Sequence, residues 1–399
     1  MKLTLATFVA TAAVASAACK GTVNTRQNWL DMKPTEQAKY IAGVKLLHKP
    51  NAQGVSKLDE IGWMHNFNFA NAHQAPHTLA WHRVLLRQYE VALQTVTNDS
   101  TIAVPYWDWS ADAQNPGASK VLNTFGHDGD AKKNMCITDG AFANWAVKVD
   151  DNGNSAPAHC LTRNWGGASG GMSQLHSFIA PEVLAEAFKE TEYDNFRQRV
   201  ESVPHNHLHN AMGGDMGGGW SPTDPIFWLH HGFIDKLWAM WQEKSGKPTA
   251  YNAMPDMFSR IKPAPKPAPV SPNDILTPFN VPVSSVFSTT DNCYVYSNMN
   301  VPAVARVPPK LMQLATTMVN NADAAAARGE DNIFAANATH NADTDFLKRP
   351  VTASTAFIQK WNLNEDTIRA HEADVAKKTR IFNALSTLRG GPVLSSVKA

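Results

Sequence analysis

Pro204-His205-Asn206-His207-Leu208-His209, the glycine-rich link Gly213-Gly214-Asp215-Met216-Gly217-Gly218-Gly219, and Ser221-Pro222-Thr223-Asp224-Pro225-Ile226-Phe227-Trp228-Leu229-His230-His231 form the stretch on which the reading of this chain turns. His205 and His209 stand four apart, which on a helix sets both rings on one face, about 40° apart around the axis. Such a pair can hold one metal ion. The glycines let the backbone fold back, and the apolar segment that carries His230 and His231 offers a third imidazole. That segment stays apolar through Trp238 and Trp241 and reads as a helix.

Outward from this stretch, the histidines remain unevenly placed. Nine of the 15 fall between residues 65 and 82 or between 205 and 231, a clustering that core packing does not produce. In the first window His65, His73 and His82 are separated by spacings too irregular for one helix. They suit a loop that delivers two ligands to a helix supplying the third, with His77 competing for the place of His65. Each window can therefore furnish three imidazoles, and no Cys, Asp or Glu stands at comparable spacing. All-imidazole sets suit copper, zinc or iron. Two three-coordinate sites leave open positions for a small bridging ligand.

The helix that holds His82 is marked by Trp81, Leu85, Tyr89 and Leu93, and another by Tyr40, Val44 and Leu47 between Pro34 and Leu47. A further helix is expected from about Pro181 to Glu201. Gly166 to Gly171 and Gly213 to Gly219 are too glycine-rich for regular structure, and the prolines from Lys262 to Pro272 predict an extended strap. The expected fold is mainly α: a four-helix bundle core that holds a dinuclear metal site, with long loops and few short strands.

Composition narrows the partners. Lys plus Arg number 36 against 35 Asp plus Glu, a net charge of +1 that gives no footprint for nucleic acid or an anionic membrane. Residues 1–17 have the basic start, short apolar stretch and small-residue exit of a secretory signal, and no later run reaches membrane-spanning length. Four cysteines, Cys19, Cys136, Cys160 and Cys293, form an even set that in a secreted chain predicts two disulfides. Asn98-Asp99-Ser100 and Asn337-Ala338-Thr339 are sequons for glycosylation. Extracellular delivery fits all three signals.

Several strings now stand together: Ala80-Trp81-His82-Arg83, Pro105-Tyr106-Trp107-Asp108-Trp109, the two histidine segments quoted first, and Ile234-Asp235-Lys236-Leu237-Trp238. In this order, from about residue 26 to 296, they resemble the type-3 copper family of tyrosinases, catechol oxidases and oxygen-carrying hemocyanins, in its short fungal or bacterial-like form. The resemblance implies two copper ions, one held by His65, His73 and His82, the other by His205, His209 and His231. His230 then orients the site from behind the ligands, and His207 is structural or pocket-lining. It also implies a secreted enzyme that uses O2 to hydroxylate small monophenols and to oxidise o-diphenols to o-quinones. Its alternatives are a catechol oxidase without hydroxylation and an oxygen carrier.

Further roles follow from the same resemblance. Glu201 and Asn206 match a pair that in many tyrosinases holds a water proposed to deprotonate the monophenol, a sensible proton relay. Asn210, Gly218 and Phe227 are given to substrate binding. Asn210 replaces an Arg of some bacterial tyrosinases, and Gly218 stands where relatives carry a bulky gate, which predicts an open entrance. Asn71 takes the place of a cysteine that many fungal relatives crosslink to the second ligand, so that thioether cannot form. Tyr294-Val295-Tyr296 resembles the motif that closes the catalytic domain against an N-terminal arginine, here Arg26. That contact would bring Cys19 to Cys293 and leave Cys136 to pair with Cys160. The expected division is a signal over 1–17, a catalytic domain over 18–296 and a helical appendage over 297–399. The appendage either covers the site until proteolysis or packs on the back of the core.

Overall fold

The computed structural model describes residues 19–113, 115–149, 155–165, 178–253, 270–300, 309–328, 355–360 and 364–388. The signal segment, the Asn337 sequon, the Lys348-Arg349 pair, Gly166 to Gly171 and most of the 262–272 strap lie outside the described residues.

Helix α1 (Pro34–Leu47) begins with proline at its first position, and the Glu36 carboxylate accepts from the Lys33 N–H at 2.9 Å. Helix α2 (Lys57–Phe67) opens on a reciprocal cap. Ser56 Oγ accepts from the Asp59 N–H at 3.1 Å and Asp59 Oδ2 accepts from the Ser56 N–H at 3.0 Å. Helix α3 (Thr78–Thr97) ends where Asn98 turns left-handed, with φ +51°. Helix α4 (Tyr193–Val200) leads through a wide π-turn, Glu201–His205, into helix α5 (Asn206–Met212). Helix α6 (Ile226–Ser245) closes on Gly246 in the left-handed region, φ +65°.

The core is helical, as the sequence predicts. Helix α3 packs between α1 and α6, and its face of Trp81, Leu85, Tyr89 and Leu93 is buried. Tyr89 stacks on Trp228 of α6 at 3.6 Å between ring centroids. Two expectations need correction. His65 lies inside α2, not on a loop, because the Ser56-Asp59 cap starts a helix of 11 residues that runs to Phe67. The expected helix from Pro181 to Glu201 is broken. A short helix Pro181–Ala185 and a tight turn Glu186–Lys189 precede α4.

Strands are few. β1 (Asn24–Arg26) pairs in parallel with β4 (Tyr294–Tyr296), and β2 (Ala146–Val149) pairs antiparallel with β3 (Ser155–Cys160). Disulfide Cys19–Cys293 fastens the first pair and Cys136–Cys160 ties the end of β3 to the loop before β2, in the pairing the resemblance implies. The β1–β4 ribbon delivers Arg26 into the core, where its guanidinium lies 3.5 Å above the Tyr294 ring and pairs with Glu90 at 2.9 Å.

The C-terminal segment adds helix α7 (Pro309–Ala327) and helix α8 (Glu365–Leu388), which pack on each other. Helix α8 also packs on the Glu201–His205 turn. Through this turn it reaches the core beside His205.

Candidate metal centre

Four helices, a short link and a π-turn bring six rings to one place. His65 comes from α2 and His82 from α3, with His73 on the short link between them. His205 comes from the end of the π-turn, His209 from α5 and His231 from α6. Pro204 lies inside the wide turn. It has no N–H for the helical ladder, which lets the turn take an extra residue.

Hydrogen bonds set which ring nitrogen faces inward. His65 Nδ1 meets the Gly219 carbonyl at 2.5 Å, His82 Nδ1 the Thr78 carbonyl at 2.9 Å and His209 Nδ1 the Met216 carbonyl at 2.7 Å. A carbonyl can only accept, so each Nδ1 carries the proton and each Nε2 keeps its lone pair. His205 Nδ1 likewise donates to Asn206 Oδ1 at 2.9 Å. Its Nε2 is fully buried with no hydrogen-bond partner among the described residues. Such an orphan is expensive unless something else binds it.

The inward nitrogens converge. His65 Nε2 lies 3.3 Å from His82 Nε2 and 3.2 Å from His73 Nε2. His209 Nε2 lies 3.3 Å from His231 Nε2. Metal–imidazole bonds of about 2.0 to 2.1 Å place neighbouring donors about 3.3 to 3.6 Å apart, so these spacings fit an ion between the rings. The trios face each other: His82 stacks on His231 at 4.3 Å and His73 lies 5.2 Å from His205.

Burial lowers the pKa of all six rings, His65 and His209 to about 4, which keeps them neutral and able to ligate. The residues thus fit two metal ions, and six imidazoles with no thiolate or carboxylate suit copper among the ions that such donors take.

The common central domain of tyrosinase matches residues 55–244 of the chain, and the tyrosinase of Streptomyces glaucescens is 31% identical over 241 residues, covering 84% of that protein and 56% of this chain. This chain belongs to the tyrosinase family. The tyrosinase of Streptomyces antibioticus is 36% identical over 186 residues, 43% of this chain and 64% of that protein. A tyrosinase-like protein of Diaporthe leptostromiformis is 31% identical over 240 residues, 55% of this chain, and the chain spans 63% of its length. Among solved structures, a polyphenol oxidase of Thermothelomyces thermophila superposes with a TM-score of 0.56 at 22% identity, over 69% of this chain and 89% of that one. Mushroom tyrosinase superposes with a TM-score of 0.52 at 16% identity, over 71% and 63% of the two chains. These structural likenesses speak to the fold.

For a tyrosinase-family chain the neighbouring His230 and His231 pose a choice, since both rings lie close to His205 and His209. Trp109 Nε1 donates to His230 Nδ1 at 3.2 Å. The accepting nitrogen supplies its lone pair to the indole, so the proton sits on Nε2 and His230 has nothing to offer a metal. His77 lies outside the first trio, at the start of α3, bonded to the Asn71 backbone. His207 points onto Phe178, edge-on at 5.8 Å.

The pocket above the rings is lined by Phe69, Gln74, Glu201, Asn206, Gly218 and Ser221. Glu201 is buried, which raises its pKa to about 6 against the opposing pull of Arg197. Its carboxylate accepts from the Gln74 N–H at 2.5 Å and from Thr78 Oγ1 and Arg197 Nη1 at 3.3 Å each, and lies 3.6 Å from His73 Nδ1. An added Cβ on Gly218 would come within 2.6 Å of the Trp220 ring, so the indole already fills the space a bulkier gate would need. Asn210 donates to the Asn206 carbonyl at 2.7 Å. Phe227 is fully buried beneath the site, 4.1 Å from the His231 ring and 5.5 Å from the His65 ring.

Sequence reasoning misses the residues that hold the named ones. Thr78 and His82 are four apart on one helix face, as are Arg197 and Glu201, so both spacings carry a signal. Gln74 carries none. Asp215 also escapes: buried, it accepts from Trp220 Nε1 at 2.8 Å and the Thr162 N–H at 2.7 Å, pinning the loop whose carbonyls meet His209 and His65.

Proposed function

We propose that this chain is a dicopper oxidase that uses O2 to hydroxylate monophenols and to oxidise o-diphenols to o-quinones. The observation that carries the reading is the pair of facing trios whose Nε2 lone pairs converge at metal-ligand spacing. A bound copper pair would supply the redox chemistry with dioxygen that no side chain can. The balance is simple: two catechols and one O2 give two o-quinones and two waters, and one monophenol and one O2 give one o-quinone and one water.

The protein's own part is to place the phenol and move its proton. Six neutral rings leave the charge of the metals uncompensated, which favours a phenolate at the site. Glu201, raised to about 6 by burial, is ionised at neutral pH and lies at the pocket wall, suited to take the hydroxyl proton. Asn206 holds the His205 ring by its Oδ1. Gly218 lies against the Trp220 indole at the pocket edge, and Phe227 keeps water from beneath the rings.

A second reading, a catechol oxidase without hydroxylation, is favoured by one detail. Asn206 Oδ1 is engaged by His205 and one Nδ2 hydrogen faces the Ser202 carbonyl at 3.4 Å, which leaves a single amide hydrogen to share a water with Glu201. Oxygen uptake by the copper-loaded chain with tyramine and 4-tert-butylcatechol decides. Turnover of both supports the proposal, turnover of the catechol alone supports the second reading, and reversible oxygen uptake with neither consumed supports a carrier.

Extracellular delivery belongs to the same reading. Two disulfides suit an oxidising compartment, and Asn98 of the first sequon is exposed at the end of α3. No described helix is long and apolar enough to cross a membrane.

A further inference from the structure

Helix α8 is tied to the pocket through one residue. The Asn364 N–H donates to Gln74 Oε1 at 2.7 Å, while Asn364 Oδ1 caps α8 by accepting from the Thr367 N–H at 3.0 Å. Gln74 follows His73, lines the pocket and donates its own N–H to Glu201 Oε1 at 2.5 Å, the shortest contact of that carboxylate. Its φ is +50°, a left-handed conformation that a residue with a side chain keeps only when its surroundings hold it. Gln74 is thus gripped from two sides, by α8 on its side chain and by Glu201 on its backbone.

The helix that makes this grip is firmly seated. Ile368, Val375, Thr379, Phe382 and Leu385 are buried. Asp374 pairs with Arg199, two residues before Glu201, and Arg199 also pairs with Glu190 at 2.8 Å. Release of α8 by proteolysis would cut the grip on Gln74.

We propose that α8 is a positioning element of the site rather than a removable cover, and that Gln74 is the positioning residue through which it acts on Glu201. The proposal rests on Glu201 taking the phenol proton, as read above. Only monophenol hydroxylation depends on that proton being taken at one point, so the effect falls on the ratio between substrates rather than on overall turnover.

The test uses the full copper-loaded chain with Gln74→Met, which keeps the length of the side chain and removes its acceptor, and Asp374→Asn, which weakens the Arg199 pair. The measurements are kcat/KM for tyramine and for 4-tert-butylcatechol, and amide hydrogen exchange at Gln74 and over residues 364–370. The expected result is a tyramine-to-catechol ratio lower by about fivefold to tenfold in Gln74→Met, a smaller fall in Asp374→Asn, and faster exchange at both places. An unchanged ratio, a parallel loss on both substrates or a gain on both overturns the proposal, the last in favour of a cover. If the unaltered chain does not turn over tyramine, the hydroxylation reading fails by itself and exchange alone decides. Faster exchange at the Gln74 amide then supports the tie, and unchanged exchange overturns it.

Discussion

At the scale of single residues, the site is a matter of where protons sit. His230 and His231 are neighbours in sequence and in space, and the Trp109 indole separates their roles by occupying the lone pair of the first. His231→Ala is expected to leave about one copper per chain after gel filtration, whereas His230→Gln, whose amide oxygen can still accept from Trp109, keeps two; metal analysis reads the difference. Burial holds His65 and His209 at about 4, below the ordinary histidine value, so protons compete with metal only in that range. Copper release on acidification is expected below about pH 5 and not near 6.5, as followed by chelator capture. Glu201 moves the other way. Burial raises it, so its ionisation opposes folding as pH climbs through about 6, and in the copper-free chain removal of the charge by Glu201→Gln removes that loss. Bound cations pull the same carboxyl down. The acid limb of the monophenol rate therefore lies at or below about 6 and disappears in Glu201→Gln, with the pH dependence of tyramine oxidation as the check.

At the scale of elements, the spacing of His205 and His209 was legible as one shared face, because i, i+4 positions lie together on a helix, whereas the rings that join them were legible only through the resemblance. Histidine spacing was a poor guide to the element that carries His65. The irregular steps from His65 to His73 and His82 suggest a loop, yet the Ser56-Asp59 cap and Leu58, Ile61 and Met64 at helical spacing write a helix up to Phe67. The wide turn at Glu201–His205 has a local cause in Pro204, since proline cannot extend a helical ladder, although the helix expected from Pro181 to Glu201 was drawn without it. The glycine-rich loop was readable as a loop and opaque as a device. Its function depends on two backbone carbonyls and on Asp215, whose partners Thr162 and Trp220 no local pattern connects. Asp215→Ala is expected to weaken copper binding about 10- to 100-fold, with Asp215→Asn between it and the unaltered chain, in competition with a chromophoric chelator. Equal binding in all three would sink the role given to Asp215.

At the scale of the whole molecule, one carboxylate closes the fold. Asp235 of α6 accepts from Tyr294 and Tyr296 hydroxyls at 2.7 Å each, from Arg83 of α3 at 2.5 Å and from Arg26 of β1 at 3.3 Å. The two ends of the catalytic region are thereby clamped to the helices that carry His82 and His231. Removing one partner from such a buried network strands the others. Asp235→Ala is expected to destabilise the fold by about 3 to 5 kcal/mol in denaturant titration, and Asp235→Asn by less. This closure was legible only through resemblance, since nothing in the periodicity of the chain links Arg26 to Tyr294. The C-terminal helices were legible as helices and not as neighbours of the site. The sequence gives α8 an apolar stripe of Ile368, Val375, Phe382 and Leu385 but no address for it.

The loop from Gly213 to Gly219 ends in two carbonyls that serve different halves of the centre, Met216 for His209 and Gly219 for His65. The halves therefore share a hinge pin. Filling either half stiffens a segment the other also needs, so the second ion meets a host already arranged for it. Copper uptake by the unaltered chain is then expected to show positive cooperativity in a direct titration, and a variant that loses one ion is expected to hold the other more weakly.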